Sequence, residues 1–185
     1  HRVESVAIVN DIEYFDDMHV KQMEGPVGIK IHGGWSRSLP QKSFRIQCKD
    51  EYGMEFMDFP MMPDKPYLSR FKGINLRNGG NAYWDYRFHD ALMERAFRES
   101  NVDYMGYAPA AVFLNGVYFG FMEIREVQDQ HYIAANHGLD PDDVTAISSN
   151  YLGWNVIHGD DASFFAMHQL VLNTDPLSGG FYNLI

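Results

Sequence analysis

A single cysteine, Cys48, stands among the 185 residues, so no disulfide can close within the chain. It falls in phase with Phe44 and Ile46, which marks a small core residue and not the basic, partly exposed setting of a reactive thiol. No apolar run approaches the length of about eighteen residues that a membrane-spanning helix requires, and the most hydrophobic stretches are broken by charge or by Asn-Gly. Basic residues are scarce as well. Fifteen Lys and Arg against 25 Asp and Glu give a formal net charge of −10, which argues against a nucleic-acid-binding face. The eight histidines invite a metal hypothesis, yet His131, His137, His158 and His168 have no cysteine or carboxylate at ligand spacing, and no His-Glu-x-x-His occurs. A metal site is therefore not expected. There is no Gly-x-Ser-x-Gly elbow of a hydrolase, no internal repeat and no low-complexity segment.

What remains is a globular composition, 45% apolar and 15% aromatic, in a length that fits one ordinary domain with a real core. The most informative stretch runs from Val27 to Lys49. Val27, Ile29 and Ile31, then Phe44, Ile46 and Cys48, alternate with polar residues as half-buried strands do. Between them lie Gly33-Gly34, Ser36, Arg37 and Ser38, closed by Pro40 and followed by Lys42. Glycines let a backbone approach an anion, hydroxyls and N–H groups donate hydrogen bonds, and Arg37 and Lys42 supply charge. The segment reads as a phosphate-cradling hairpin or as an ordinary one.

Elsewhere, residues 3–9 read as a first strand and 10–26, polar and acidic, as a loop. Residues 52–66, rich in Met, Phe and Pro, read as a packed but irregular connection. Residues 73–77 form a short buried strand that ends in Arg77-Asn78-Gly79-Gly80-Asn81, a cluster that either lines a cleft or builds an Asn-stabilised turn. Phe88, Leu92 and Ala96, four apart, predict an amphipathic helix over 84–99, with Trp84 in the core. Residues 110–114 and 117–124 flank Asn115-Gly116, the signature of a type I′ hairpin. A helix over 127–136 closed by Gly138, a loop over 139–143, a short strand over 144–148 and a helix over 160–172 complete the chain. The fold class is α+β: a mostly antiparallel sheet of hairpins with two or three packed helices.

Several blocks, in order over about residues 27–147, carry a family likeness: GIKIHGGWSRSLPQKS from Gly28, INLRNGGN from Ile74, Arg87 with Asp90, VFLNGVYFG from Val112, and Glu126. On these the chain resembles the spore-coat protein H (CotH) kinase family, whose corresponding hairpin faces the nucleotide of an atypical kinase. The resemblance implies ATP and Mg²⁺ as cofactors and phosphate transfer to Ser/Thr-rich secreted or surface proteins. It implies that Lys42 meets phosphate and that Ser36 and Arg37 share the task; Asp90 or Glu94 is a candidate acidic partner for Lys42, the favoured reading of each being a surface ion pair. Arg77, Asn78 and Arg87 would belong to the site region. Glu123 and Glu126 flank Arg125 at the end of the hairpin. Glu126, matching a recurrent glutamate, would hold an adenosine hydroxyl or a basic residue, or serve as a first-turn helix glutamate.

Two departures accompany the likeness. His-Gly-Gly-Trp stands at 32–35 where spore-coat members carry Arg-Gly-Asn, a version more like large bacterial extracellular proteins with linked modules. The family's catalytic and magnesium-binding aspartates, in D-x-x-x-x-N and P-W-D-x-D-like segments, have no match in the 185 residues, and are expected beyond Ile185. The expectation is a single CotH-like domain, 1–185, truncated before its carboxy-terminal catalytic segment and inactive alone, from a secreted or cell-surface parent. The alternative is a non-catalytic surface, adhesion or binding module, for which Trp35, Trp84 and Trp154 supply aromatic contacts.

Overall fold

The computed structural model describes residues 6–150 and 153–175. The part of the first-strand reading on residues 3–5 lies outside the described residues, and so does Ile185, the position past which the catalytic aspartates are expected. By its contacts the chain divides into two compact units, residues 1–128 and 129–185.

The first unit is built on a six-stranded antiparallel sheet. Its strands are β1 (Ile8–Phe15), β2 (Lys21–His32), β3 (Ser43–Gln47), β6 (Gly73–Arg77), β7 (Tyr107–Leu114) and β8 (Val117–Glu126), with β4 (Met57–Asp58) and β5 (Arg70–Phe71) pairing separately. The spatial order is β1-β2-β3-β6-β8-β7. Strand alternation puts Val27, Ile46, Ile74, Leu76, Ala108, Met122 and Ile124 on one face, where Met57, Met61, Met62, Leu68 and Phe71 close the core. The Met- and Pro-rich connection therefore packs as the sequence predicts. Cys48, 4% exposed, lies in that core too.

The other face is polar. Register sets Lys30 across from Arg45, Arg45 across from Asn75, Asn75 across from Arg125, and Arg77 across from Glu123. Helix α1 (His89–Ala96) reaches this face through its acidic side chains, because Asp90 pairs with Arg77 and Glu94 with Arg125. That inverts the amphipathic expectation. Leu92, Met93 and Phe97 turn to solvent, only Ala91 of the helix is buried, and the helix is shorter than the predicted 84–99. Trp84 is corrected as well: it is 73% exposed, edge-on to Tyr83.

The loop expected over 10–26 is instead the β1–β2 hairpin. Ile12, Tyr14 and Met23 pack against the core, while Glu13 and Glu24 point outward to Lys21. The Asp16 carboxylate organises the turn by accepting hydrogen bonds from the Met18 and Val20 N–H groups, both at 2.9 Å. The β7–β8 turn matches its prediction, with φ of 49° at Asn115 and 78° at Gly116.

In the second unit, α2 (Gln130–His137) starts at Asp129, whose side chain accepts from the His131 and Tyr132 N–H groups. It ends at Gly138, φ 68°, in the left-handed conformation predicted for that glycine. Strands β9 (Ala146–Asn150) and β10 (Gly153–His158) form a hairpin, whose second strand the sequence reading did not include. Helix α3 (Ala162–Asn173) follows, and Trp154 meets Phe164, Phe165 and His168. Among the described residues no helix is long and apolar enough to cross a membrane.

Candidate functional site: a cationic cleft between two glycine loops

Two loops leave the same end of the sheet. The first, after β2, passes through Gly33 (φ 107°) into a short 3-10 turn, Trp35–Ser38. A Cβ at Gly33 would meet only the Ser36 hydroxyl, which can rotate away, so it is the positive φ that calls for glycine there. Ser38 Oγ donates to the Trp35 carbonyl at 2.8 Å. Lys42 Nζ donates to the carbonyls of Arg37 and Leu39 at 2.9 and 2.5 Å, which clamps the loop from behind.

The second loop follows β6. Asn78, 1% exposed, is its staple: its Oδ1 accepts from Ser43 Oγ and the Gly80 N–H, and its Nδ2 donates to the Gln41 carbonyl. Gly79 has φ 92°, and a Cβ there would lie 2.9 Å from the Arg87 Cα. Arg87 backs the loop by stacking on Tyr83 with its guanidinium carbon 4.2 Å from the ring centre, and it donates to Gln41 Oε1 at 2.7 Å.

Between the loops lies a cleft of about 400 Å³. Gly34, Trp35 and Ser36 line one side, Arg77 and residues 79–82 the other, and His89 and Asp90 the start of α1. Of the residues singled out in the sequence, the fold thus brings Ser36 and Arg77 to one cavity. Lys42, Asn78 and Arg87 hold its walls. Glu126 shares strand parity with Met122 and Ile124, pointing to the core face, where it meets Lys65 Nζ at 2.7 Å. Asp90 and Glu94 do not serve Lys42. Asp90 pairs with Arg77, and Glu94 meets Arg125 at 2.9 Å and accepts the Met105 N–H at 2.6 Å.

The electrostatics of the polar face are legible at His32. Burial, then Arg45, Arg77, Arg37 and Lys30, push its imidazole down to about 4, so it stays neutral amid four cations. In a chain of net charge −10, that is a local concentration of positive charge. Arg45 Nε donates to Asn75 Oδ1 at 2.6 Å, fixing one of the four. Across from Arg77 on the neighbouring strand lies Glu123, 1% exposed, with neither carboxylate oxygen hydrogen-bonded among the described residues. Its carboxyl is pushed up to about 7 by burial, against the pull of Arg125 and Arg77 and with the push of Asp90 and Glu94. Arg125, fully buried, meets Glu94 at 2.9 Å and Asp90 at 3.8 Å as charge contacts, neither of them a hydrogen bond.

Sequence reasoning missed Lys30, His32, Arg45 and Glu123 as members of this region. The available signal was phase: each occupies the strand parity opposite the apolar residues, and the parity matches across β2, β3, β6 and β8. Among the described residues no three His, Cys, Asp or Glu side chains gather as a metal site. The cleft lining offers one carboxylate, Asp90, and no set that fits a divalent cation.

A family model described as CotH kinase protein matches residues 29–178, which takes in the cleft and both glycine loops. No curated protein matches the chain. By that match, over most of its length, the chain belongs to the CotH kinase family.

Proposed function

We propose that the cleft binds the phosphates of ATP in an atypical Ser/Thr protein kinase that modifies secreted or surface proteins, within a larger extracellular bacterial parent carrying linked modules. One observation carries the reading: two glycine loops enclose a cleft onto which Arg77 opens, beside Lys30, Arg37 and Arg45. Glycines admit phosphate close to backbone N–H groups, and a guanidinium donates paired, charge-assisted hydrogen bonds to its oxygens. Lys42 contributes by tying down the loop carbonyls, which keeps acceptors from facing the anion. Trp35, 67% exposed on the rim, offers an aromatic face to the base.

Phosphoryl transfer breaks the bond to the terminal phosphorus of ATP and forms one to the acceptor hydroxyl, whose proton must leave. Mg²⁺ neutralises phosphate charge in such reactions, but among the described residues no set fits it, and neither aspartate segment of the family occurs in the 185 residues. The cleft is therefore assigned phosphate binding and not metal binding or proton removal.

Calorimetry with Mg-ATP tests this. The chain should bind in the high-micromolar range, since micromolar affinity already needs about 8 kcal/mol, and Arg77→Gln should weaken binding about tenfold. Absence of binding overturns the reading. Exposed Trp35 and Trp84 favour a second reading, a module for protein or carbohydrate contacts, which would show glycan or protein binding and none of ATP.

A further inference from the structure

We propose that Glu123 is a positioning residue for the cleft, a buried counter-charge whose protonation state sets how strongly Arg77 holds an anion. This rests on the phosphate-binding reading above. The geometry is specific. Glu123 on β8 lies directly across from Arg77 on β6, and Arg77 is the cation that opens into the cleft. Glu123 is 1% exposed and both its oxygens lack a hydrogen-bond partner among the described residues. A buried carboxylate left so is costly in the ionised form, and its charge is felt by whatever cation is nearest.

The charged and titratable groups around it come from every neighbouring element. Arg77 faces it from β6, Arg125 from β8 itself, Asp90 and Glu94 from α1, and Tyr107, whose hydroxyl is pushed up by burial and then by the Glu123 charge, from β7. Arg77 already pairs with Asp90 at the cleft wall. With Glu123 ionised, its charge acts on Arg125 first and on Arg77 second, and Arg77, already paired with Asp90, has less to offer a phosphate. With Glu123 neutral, it serves Asp90 and the incoming anion alone. The crossover lies near neutrality, because burial outweighs the pull of Arg125 and Arg77. His32 stays neutral across this range, and His89, which lines the cleft beside Asp90, is common to wild type and a Glu123 variant, so the part of the pH dependence that Glu123 carries is the part its substitution removes.

Anion affinity should therefore rise as pH falls from 8.5 to 6.0, and Glu123→Gln, which fixes the neutral form, should remove that rise. ATP is the probe, and its own titration is common to both proteins, so the difference between their slopes is the readout. Wild type should gain about tenfold more affinity over the range than the variant. By reciprocity, saturating ATP should raise the Glu123 midpoint by about one pH unit, read from its carboxyl carbon signal in the wild-type protein whether or not the variant folds. A merely structural Glu123 would alter stability on substitution and leave these slopes parallel. Parallel slopes, or a midpoint unmoved by ATP, overturn the inference while the phosphate-binding reading stands. No ATP binding by wild type at any pH overturns both.

Discussion

Lys65→Met offers the sharpest test of how the core end of the sheet is held. Lys65 is 1% exposed and Glu126 3%, so the pair is fully withdrawn from water. The ammonium reaches Glu126 Oε2 at 2.7 Å and the Tyr104 carbonyl at 2.6 Å, and sits 4.5 Å from the Tyr104 ring centre. The same Oε2 accepts the Gly106 N–H at 2.6 Å, which joins the start of β7 to the end of β8. Methionine replaces the stem of the lysine in volume and removes the charge, leaving a buried carboxylate without its cation. Breaking one side of such a pair costs about 3–5 kcal/mol, a large share of the roughly 5–15 kcal/mol available to a domain. Urea unfolding should show the midpoint falling with the slope unchanged. The double variant Lys65→Met/Glu126→Gln should recover at least about 1 kcal/mol, because the stranded charge is then gone while the acceptor for Gly106 remains. A loss under about 1 kcal/mol for Lys65→Met would refute the reasoning, since it would mean the pair is hydrated. The folded fraction of the variant should bind ATP as wild type does, because this pair lies on the sheet face opposite the cleft.

Gly79→Ala should destabilise by about 1–3 kcal/mol, since the residue has φ 92° and its new Cβ would press on the Arg87 backbone; denaturation read beside ATP titration should show both stability and affinity falling. Glu123, with its folded-state midpoint raised to about 7, contributes stability that is full below the ordinary carboxyl range and is lost as pH rises through neutrality. Glu123→Gln should accordingly be stabilising at pH 8 relative to its effect at pH 5, by up to roughly 3 kcal/mol in urea unfolding. Incubated with Mg-ATP and an acidic or serine-rich protein, the 185-residue chain should transfer no phosphate, as neither aspartate segment lies in it; robust labelled-phosphate transfer would place catalytic residues within these positions.

Much of the sheet was legible because period-two burial is a local signal. Val27–Cys48 and the Asn115-Gly116 hairpin could be read directly, and Gly138 announced its helix end. The β1–β2 hairpin was hidden because an edge strand exposes its outward residues, and here those are acids that imitate a loop. Helix α1 misled for a different reason. Its apolar residues have helical spacing, but the surface it meets is charged, so Asp90 and Glu94 face inward and Leu92 and Met93 outward.

The site shows the same limit more plainly. The two glycine loops could be located one by one, but nothing local says that Gly34–Ser36 and Gly79–Asn81 face each other. That follows from β3 lying between β2 and β6. The cationic face is less local still. Lys30, Arg45, Arg77 and Glu123 each look like solvated residues of separate strands, and only the antiparallel register sets them side by side. Glu126 could have been read better from parity alone. It stands in step with Met122 and Ile124, and a carboxylate in core phase must find a buried cation or a donor. The partner is Lys65, a lysine among prolines in the irregular connection, whose burial no periodicity reveals. A strand-end carboxylate in core phase is therefore better evidence for a buried ion pair than for a ligand contact, and the sequence to search for its partner is the segment that packs on the core.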